Sequence, residues 1–143
     1  MRFDELPSGW AQRPITDPEV FEGVVDLIVT EPSRESGAIY LLLCHPNGRL
    51  LQPVCLPAGR GGSGARLVEE VRQVLTEAAE HGVLDVVVVV ARAGDPGVSA
   101  GDGRLRAEVA AACRAAGCAL RGMAVATPGG VRVLPLHAPS AAA

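Results

Sequence analysis

The sequence contains no lysine, since all 13 basic residues are arginine. This absence excludes every mechanism that needs a lysine amine, such as a Schiff base or the phosphate-binding lysine of a P-loop. Aromatic residues make up only 3% of the chain, so platforms for stacking nucleic-acid bases are essentially missing. The net charge of −3 gives no broad basic field either. We therefore expect no nucleic-acid partner.

The chain also lacks a hydrophobic run that could span a membrane. Its longest apolar runs are Ala38 to Cys44 and Val86 to Ala91, whereas a membrane helix needs about 20 such residues. No signal-peptide core follows Met1, and the cysteines show neither a C-x-x-C nor a zinc-ribbon spacing. We expect a cytoplasmic protein without a membrane partner. Its four cysteines are predicted to be reduced, small buried residues: Cys44, Cys55, Cys113 and Cys118.

The length of 143 residues and the 48% hydrophobic content predict one globular domain. We divide the chain into an extended N-terminal arm (1–15), a single α/β domain (16–135) and a flexible tail (136–143). Trp10, the single tryptophan, is expected to pack the arm onto the domain.

The first helix is predicted from Thr16-Asp17-Pro18, a typical helix start with a capping residue and an early proline. Apolar residues at 20, 24, 27 and 28 lie on one helical face, which predicts that this face is buried. Pro32 is expected to end the helix.

The strands are indicated by apolar runs and turn residues. A continuous run over 38–44 predicts a strand buried on both faces, and Asn47-Gly48 predicts a hairpin to the next strand. Pro53 in that second strand indicates a sheet edge. Five consecutive valines, Val86 to Val90, indicate a central strand.

Taken together, the pattern predicts a three-layer α/β sandwich with a mixed sheet. The predicted order is α-β-β-α-β-α-β-β, over residues 16–31, 38–44, 50–56, 66–81, 84–91, 99–116, 118–126 and 131–134.

The segment Gly94-Asp95-Pro96-Gly97-Val98-Ser99-Ala100-Gly101-Asp102 follows the central strand and opens a helix. It resembles the RadC-like branch of the JAB/MPN metalloprotein superfamily, which has His-x-His-Pro-Ser-Gly-Asp-Pro-x-Pro-Ser-x-x-Asp at this place. The hairpin, the helices and the terminal strands also fall where that family has them, so the resemblance covers roughly residues 36–135. It implies a cytidine-deaminase-like α/β fold.

The same resemblance implies that the zinc site of the family is lost in this chain. Val89 and Ala91 stand at the two histidine positions, and of the three metal ligands only Asp102 remains. The upstream glutamate, which would act as the base, is missing too, because no Asp or Glu occurs from Gly37 to Val68. We therefore expect no metal, no cofactor and no catalytic residue. Ser99 and Asp102 are interpreted as helix-capping residues, with a ligand site as the alternative.

Two further segments are weaker candidates for ligand binding. Arg60, Gly61, Gly62 and Ser63 precede a helix and could cradle a phosphate or nucleotide through backbone N–H groups, or could simply connect two elements. Arg92 forms a local basic cluster with Arg104 and Arg106, which either binds an acidic partner or is a solvated face. A zinc site from Cys44, His45 and Cys55 is disfavoured, because the turn would place Cys44 opposite Leu51.

The leading hypothesis is therefore a catalytically inactive, metal-free interaction or regulatory module with an unknown protein partner. The alternative is a small-molecule sensor or enzyme that binds a nucleotide or sugar phosphate at the glycine-rich loop 59–64. The scarcity of charge between Gly37 and Val68 also predicts a homodimer that forms through the hairpin or the first helix. A monomer, with the arm around Trp10 covering this surface, is the alternative.

Overall fold

The five consecutive valines lie in the central strand of a mixed sheet in the computed structural model, which describes residues 2–58, 64–95 and 100–136. Within these residues the sheet has five strands in the order β2-β1-β3-β4-β5. Strands β3 and β4 are parallel, and the other neighbours are antiparallel. The strands are β1 (Ala38–Cys44), β2 (Leu50–Pro57), β3 (Asp85–Ala91), β4 (Ala119–Thr127) and β5 (Gly130–Leu134).

Helices cover both faces of this sheet, so the expected three-layer α/β arrangement is present. The helices are α1 (Phe21–Ile28), α2 (Glu31–Ser36), α3 (Gly64–Glu80) and α4 (Ala100–Ala116). One apolar core joins α1 to the face of β3 that carries Val87 and Val89. The other core joins α3 and α4 to the opposite face, which carries Val88 and Val90. Strands β1 and β3 are buried along their whole length, as their continuous apolar sequences require.

The prediction that Pro32 ends the first helix was wrong. Helix α1 already ends at Ile28, and Pro32 lies in the first turn of a second helix, α2, which the predicted order lacked. Thr30 caps this helix, because its hydroxyl accepts a hydrogen bond from the Ser33 N–H at 3.3 Å. A proline in the first turn loses no helical hydrogen bond, since the N–H groups there have no partner within the helix.

The beginning of the chain also differs from its prediction. Residues before α1 form two short 3-10 helices, Phe3–Glu5 and Trp10–Gln12, instead of an extended arm. Trp10 packs against the core on the α1 side, as expected. Helix α1 begins later than Thr16, and Leu27 is 46% exposed, although the predicted apolar face included it. Val20 and Val24 are fully buried and Ile28 packs against the core, as predicted. Phe21, Gly23 and Val25 complete the buried face.

The β1–β2 hairpin agrees with the sequence, although its turn is of a different kind. Within this turn, Gly48 is the one residue with a positive φ, of +89°. Its N–H donates to the His45 carbonyl at 2.8 Å. The fixed φ of Pro46 favours a turn of this kind, with glycine in the left-handed position that follows. Strand β2 lies at the edge of the sheet, as Pro53 predicted. Beyond the strand, the Ala58 N–H donates to the Gly37 carbonyl at 3.1 Å.

Gly82 and Gly117 follow α3 and α4 with φ values of +83° and +78°, which confirms the predicted helix ends. Most of the predicted tail, residues 137–143, lies outside the described residues. A search of the described helices found none long and apolar enough to cross a membrane.

Candidate functional site

The carboxyl ends of three strands, β2, β3 and β4, lie along one edge of the sheet, the edge that runs across the strand ends. Ala38, the first residue of β1, pairs with Pro57 of β2 on one side and with Ala91 of β3 on the other. Ala91 in turn pairs with Ala126 of β4. Helices α3 and α4 both begin after strands that end here. In open α/β sheets, this edge is where ligands commonly bind.

Val89 and Ala91, which stand where the motif has its zinc-binding histidines, are part of the apolar core. Val89 is fully buried between Tyr40 and Ala124, its neighbours on the adjacent strands. Ala91 is 2% exposed, and both residues face the α1 side of the sheet. Neither side chain has an atom that could coordinate a metal, and neither faces the core that contains α4.

The remaining acid of the motif, Asp102, binds an arginine from the end of β3. Arg92 Nε donates to Asp102 Oδ1 at 3.0 Å, and Arg92 Nη2 donates to Oδ2 at 2.8 Å. The pair is therefore bidentate, which is the strongest arrangement of an arginine with a carboxylate. Arg92 continues the alternation of Val88 and Val90, so its side chain extends towards the α4 side.

The surroundings of this ion pair are enclosed. The Asp102 side chain is 4% exposed, and that of Arg92 is 26% exposed. Arg92 Nη1 also donates to the carbonyl oxygens of Ala93 at 3.2 Å and Asp95 at 2.8 Å, so the guanidinium holds the turn that leaves β3. The hydrogen bond with Asp102 raises the pKa of Arg92, against an opposing effect of burial. Asp102 also lies in the first turn of α4, where a negative charge is favourable.

The structure thus brings together two of the predicted site residues, Arg92 and Asp102. The others, Arg60, Gly61, Gly62, Ser63 and Ser99, lie outside the described residues. Two members of the predicted basic cluster of Arg92, Arg104 and Arg106 have different partners. Arg92 binds Asp102, whereas Arg106 donates to the Pro135 carbonyl at 3.4 Å.

The two cysteines of the hairpin lie opposite different residues. Cys44 pairs with Leu50, and Cys55 pairs with Tyr40 four residues back along β1, so the two thiols are apart as predicted. Cys44 is buried and Cys55 is exposed. Among residues 2–58, 64–95 and 100–136, no three His, Cys, Asp or Glu side chains are grouped so that they could hold a metal ion.

Sequence reasoning missed a small cleft at the opposite edge of the sheet. This cleft, of about 230 Å³, lies between the N-terminal segment and the hairpin turn, with Thr16, Cys44, Asn47 and Arg121 in its lining. Arg121 Nε donates to Asp85 Oδ1 at 2.6 Å. The signal available in the sequence was Asp85, an acid placed directly before five buried valines.

The thiol of Cys44 in this cleft is held in its protonated form. Burial, and to a smaller extent the charge of Asp85, raise its pKa to about 11, whereas Arg121 lowers it. Because the thiolate is the reactive form, this raised pKa disfavours reaction of the thiol at neutral pH.

Comparison of the sequence with models of known protein families found no match, and a comparison with curated proteins found none either. The resemblance to the JAB/MPN superfamily therefore stays a prediction from the motif and the order of elements.

Proposed function

We propose that this chain is a zinc-free, catalytically inactive relative of the RadC-like JAB/MPN proteins that acts as an interaction or regulatory module in the cytoplasm. The observation that carries the proposal is the bidentate pair of Arg92 and Asp102. At the place where the resembling family uses a carboxylate to complete a zinc site, the Arg92 guanidinium supplies the positive charge instead.

The apolar residues at the histidine positions support the same conclusion. Zinc in catalytic sites has three protein ligands, and a single carboxylate does not hold it. Val89 and Ala91 strengthen the core of the sheet, and the ion pair fixes the turn after β3. The motif thus acts as a structural element, and the function of the module depends on its surface.

The proposed contact surfaces are the two that the sequence suggested, the hairpin and the first helix. Leu27 on α1 is 46% exposed and Leu51 on β2 is 45% exposed. Strand β2 has no charged residue from Leu50 to Pro57, although it lies at the sheet edge. Exposed apolar residues on uncharged surfaces commonly mark protein interfaces.

Elemental analysis tests the proposal directly. The full chain is purified after expression in zinc-supplemented medium and is compared with Asp102→Ala. We expect no stoichiometric zinc in either protein. One tightly bound zinc per chain that is lost in Asp102→Ala would overturn the proposal, because Asp102 would then be a ligand.

A second candidate function is the binding of a nucleotide or sugar phosphate. It is favoured by the sheet edge at which β2, β3 and β4 end and α3 and α4 begin. A panel of such ligands in a thermal-shift assay tests it, since a ligand at 100 times its Kd stabilises the folded state by about 2.7 kcal/mol. A shift with one member, together with its loss in Arg60→Ala, would favour this function. If no ligand of the panel shifted the melting temperature, the interaction module would remain as the proposed function.

A further inference from the structure

Helix α4 ends in a motif that joins two cysteines. The Cys118 N–H donates to the Cys113 carbonyl at 2.9 Å, and the Gly117 N–H donates to the Arg114 carbonyl at 3.2 Å. Gly117 has a φ of +78°. These two bonds and the left-handed glycine define a Schellman motif, in which the side chains at the two ends of the longer bond commonly touch. In this protein, both of those side chains are cysteine thiols.

Both thiols are buried and line the same cavity. Cys113 is 1% exposed and Cys118 is 9% exposed. The cavity has a volume of about 180 Å³, and apolar side chains with one arginine complete its lining: Ala110, Arg114, Leu120 and Leu136. Burial raises the pKa of Cys113 to about 11, with a smaller contribution from the charge of Cys118 and an opposing one from Arg114. The two thiols and the side chain of Arg114 therefore line one cavity.

We propose that Cys113 and Cys118 form a two-sulfur site for a soft monovalent metal ion, of which Cu(I) is the physiological representative. Thiolates select such ions over hard cations. On binding, each S–H bond is replaced by a Cu–S bond, two protons leave to solvent, and the oxidation state of copper does not change. The bound centre has a net charge of −1, which the guanidinium of Arg114 offsets.

The same arrangement disfavours the other ions that thiolates bind. Structural zinc needs four ligands, whereas the part of the chain that the structure describes has no group of three or more His, Cys, Asp or Glu for a metal. Cu(I) differs because two collinear sulfur ligands satisfy it.

This site is independent of the zinc-free position. Cys118 directly precedes Ala119, which pairs with Asp85 at the start of β3, whereas Arg92 follows the other end of that strand. Copper binding without zinc would support both proposals, and zinc binding at Asp102 would leave the copper site unaffected.

The test is a titration of the reduced full chain with Cu(I) under anaerobic conditions, in competition with a colorimetric chelator. We expect one ion per chain, and we expect Cys113→Ser and Cys118→Ser each to abolish it. Cys55→Ser removes an exposed thiol elsewhere and should keep full binding. Arg114→Leu should weaken the affinity by roughly 10-fold, as the loss of a residue beside the ligands does. The matched variant Arg104→Leu, which removes an exposed charge from the same helix, should not weaken it.

X-ray absorption of the copper-loaded wild type keeps the proposal testable if a serine variant fails to fold. We expect the spectrum to show two sulfur atoms and no nitrogen atom bound to copper. The proposal is overturned if the chain binds no copper against the chelator, if binding survives either serine variant, if Cys55→Ser removes it, or if a nitrogen neighbour is found. A loss of two hydrogens that persists in the protein after the copper has been removed would also overturn it, because the thiols would then have formed a disulfide.

Discussion

Arg34 donates a hydrogen bond to the carbonyl oxygen of Thr127 at 3.2 Å, although 93 positions separate the two residues. The same guanidinium binds the Asp26 carboxylate at 3.0 Å. It also donates to the carbonyl oxygens of Asp26 at 3.2 Å and Val29 at 3.1 Å, at the end of α1. Arg34 is 3% exposed. One buried side chain therefore joins both helices of the α1 layer to the turn between β4 and β5.

We predict that Arg34→Ala lowers the free energy of unfolding by roughly 3–5 kcal/mol, because it removes the cationic partner of Asp26 and the donor to three carbonyl oxygens. Urea denaturation followed by circular dichroism measures this. Arg132→Ala, which removes an exposed arginine from β5, should change the value by less than about 0.5 kcal/mol. Equal effects of the two variants would show that Arg34 is not a structural link.

The pair of Arg92 and Asp102 should behave as one unit. We expect Arg92→Ala and Asp102→Ala each to cost roughly 2 kcal/mol, less than a fully buried pair because Arg92 is 26% exposed. The double variant should cost clearly less than the sum of the two single variants. A double-mutant cycle in urea measures the coupling. Strict additivity would contradict the interaction.

Burial of thiols predicts a loss of stability at alkaline pH. The pKa of Cys44 is raised to about 11 from an ordinary value of 9.0, so the folded state keeps a proton that the unfolded chain loses first. The stabilisation is complete below about pH 9, and it is lost as the pH rises towards 11. We expect the free energy of unfolding to fall by on the order of 1–3 kcal/mol in this window.

Urea midpoints between pH 8 and pH 10.5 measure this slope. Cys44→Ala should show a shallower fall, whereas Cys55→Ala, which removes an exposed thiol, should follow the wild type. The same slope in both variants would show that the burial of Cys44 is not its cause.

Substitution of alanine for glycine should change the stability of the protein in opposite directions at two positions. A Cβ at Gly122 would lie 2.7 Å from Cε2 of Phe21, so Gly122→Ala should destabilise the protein by about 1–3 kcal/mol. Gly103 lies within α4 and has no atom within 4 Å of such a Cβ. Gly103→Ala should therefore stabilise by roughly 0.5–1 kcal/mol, through helix propensity. Thermal denaturation of both variants measures the difference.

Light scattering should detect a homodimer, with a mass about twice the 14.7 kDa of the chain. Leu27→Arg tests contact through α1, and Leu51→Arg tests contact through the hairpin, because both substitutions place a charge on an exposed apolar site. One of the two should yield the monomer. A wild-type mass of one chain at micromolar concentration would refute the dimer.

The sequence predicted those elements whose residues have one structural meaning. The apolar runs of β1 and β3 and the glycines after α3 and α4 fixed strands and helix ends within about one residue. Pro32 was misread because proline both ends helices and begins them. Thr30, placed to cap the Ser33 N–H, was the signal for a new helix.

The site was only half predictable. Arg92 and Asp102 were both chosen from the sequence, but their pairing depends on how the chain turns between β3 and α4. The alternation of β3 placed Arg92 towards α4, which was the available signal. The backbone hydrogen bond between Cys118 and Cys113 is encoded more simply. A glycine directly before Cys118 favours a Schellman motif at the end of α4.

The bond from Ala58 to Gly37 fixes which backbone groups of β2 face outward. Since the Ala58 N–H points to β1, alternation turns the amide positions of residues 53, 55 and 57 to the open side. Pro53 and Pro57 have no N–H, so Cys55 offers the single donor along that stretch. An incoming strand would still meet outward carbonyl groups, but with only this one N–H donor it could form only an incomplete ladder. The edge therefore resists both fibril growth and sheet-to-sheet dimerisation, and a dimer that uses the hairpin must form through its side chains.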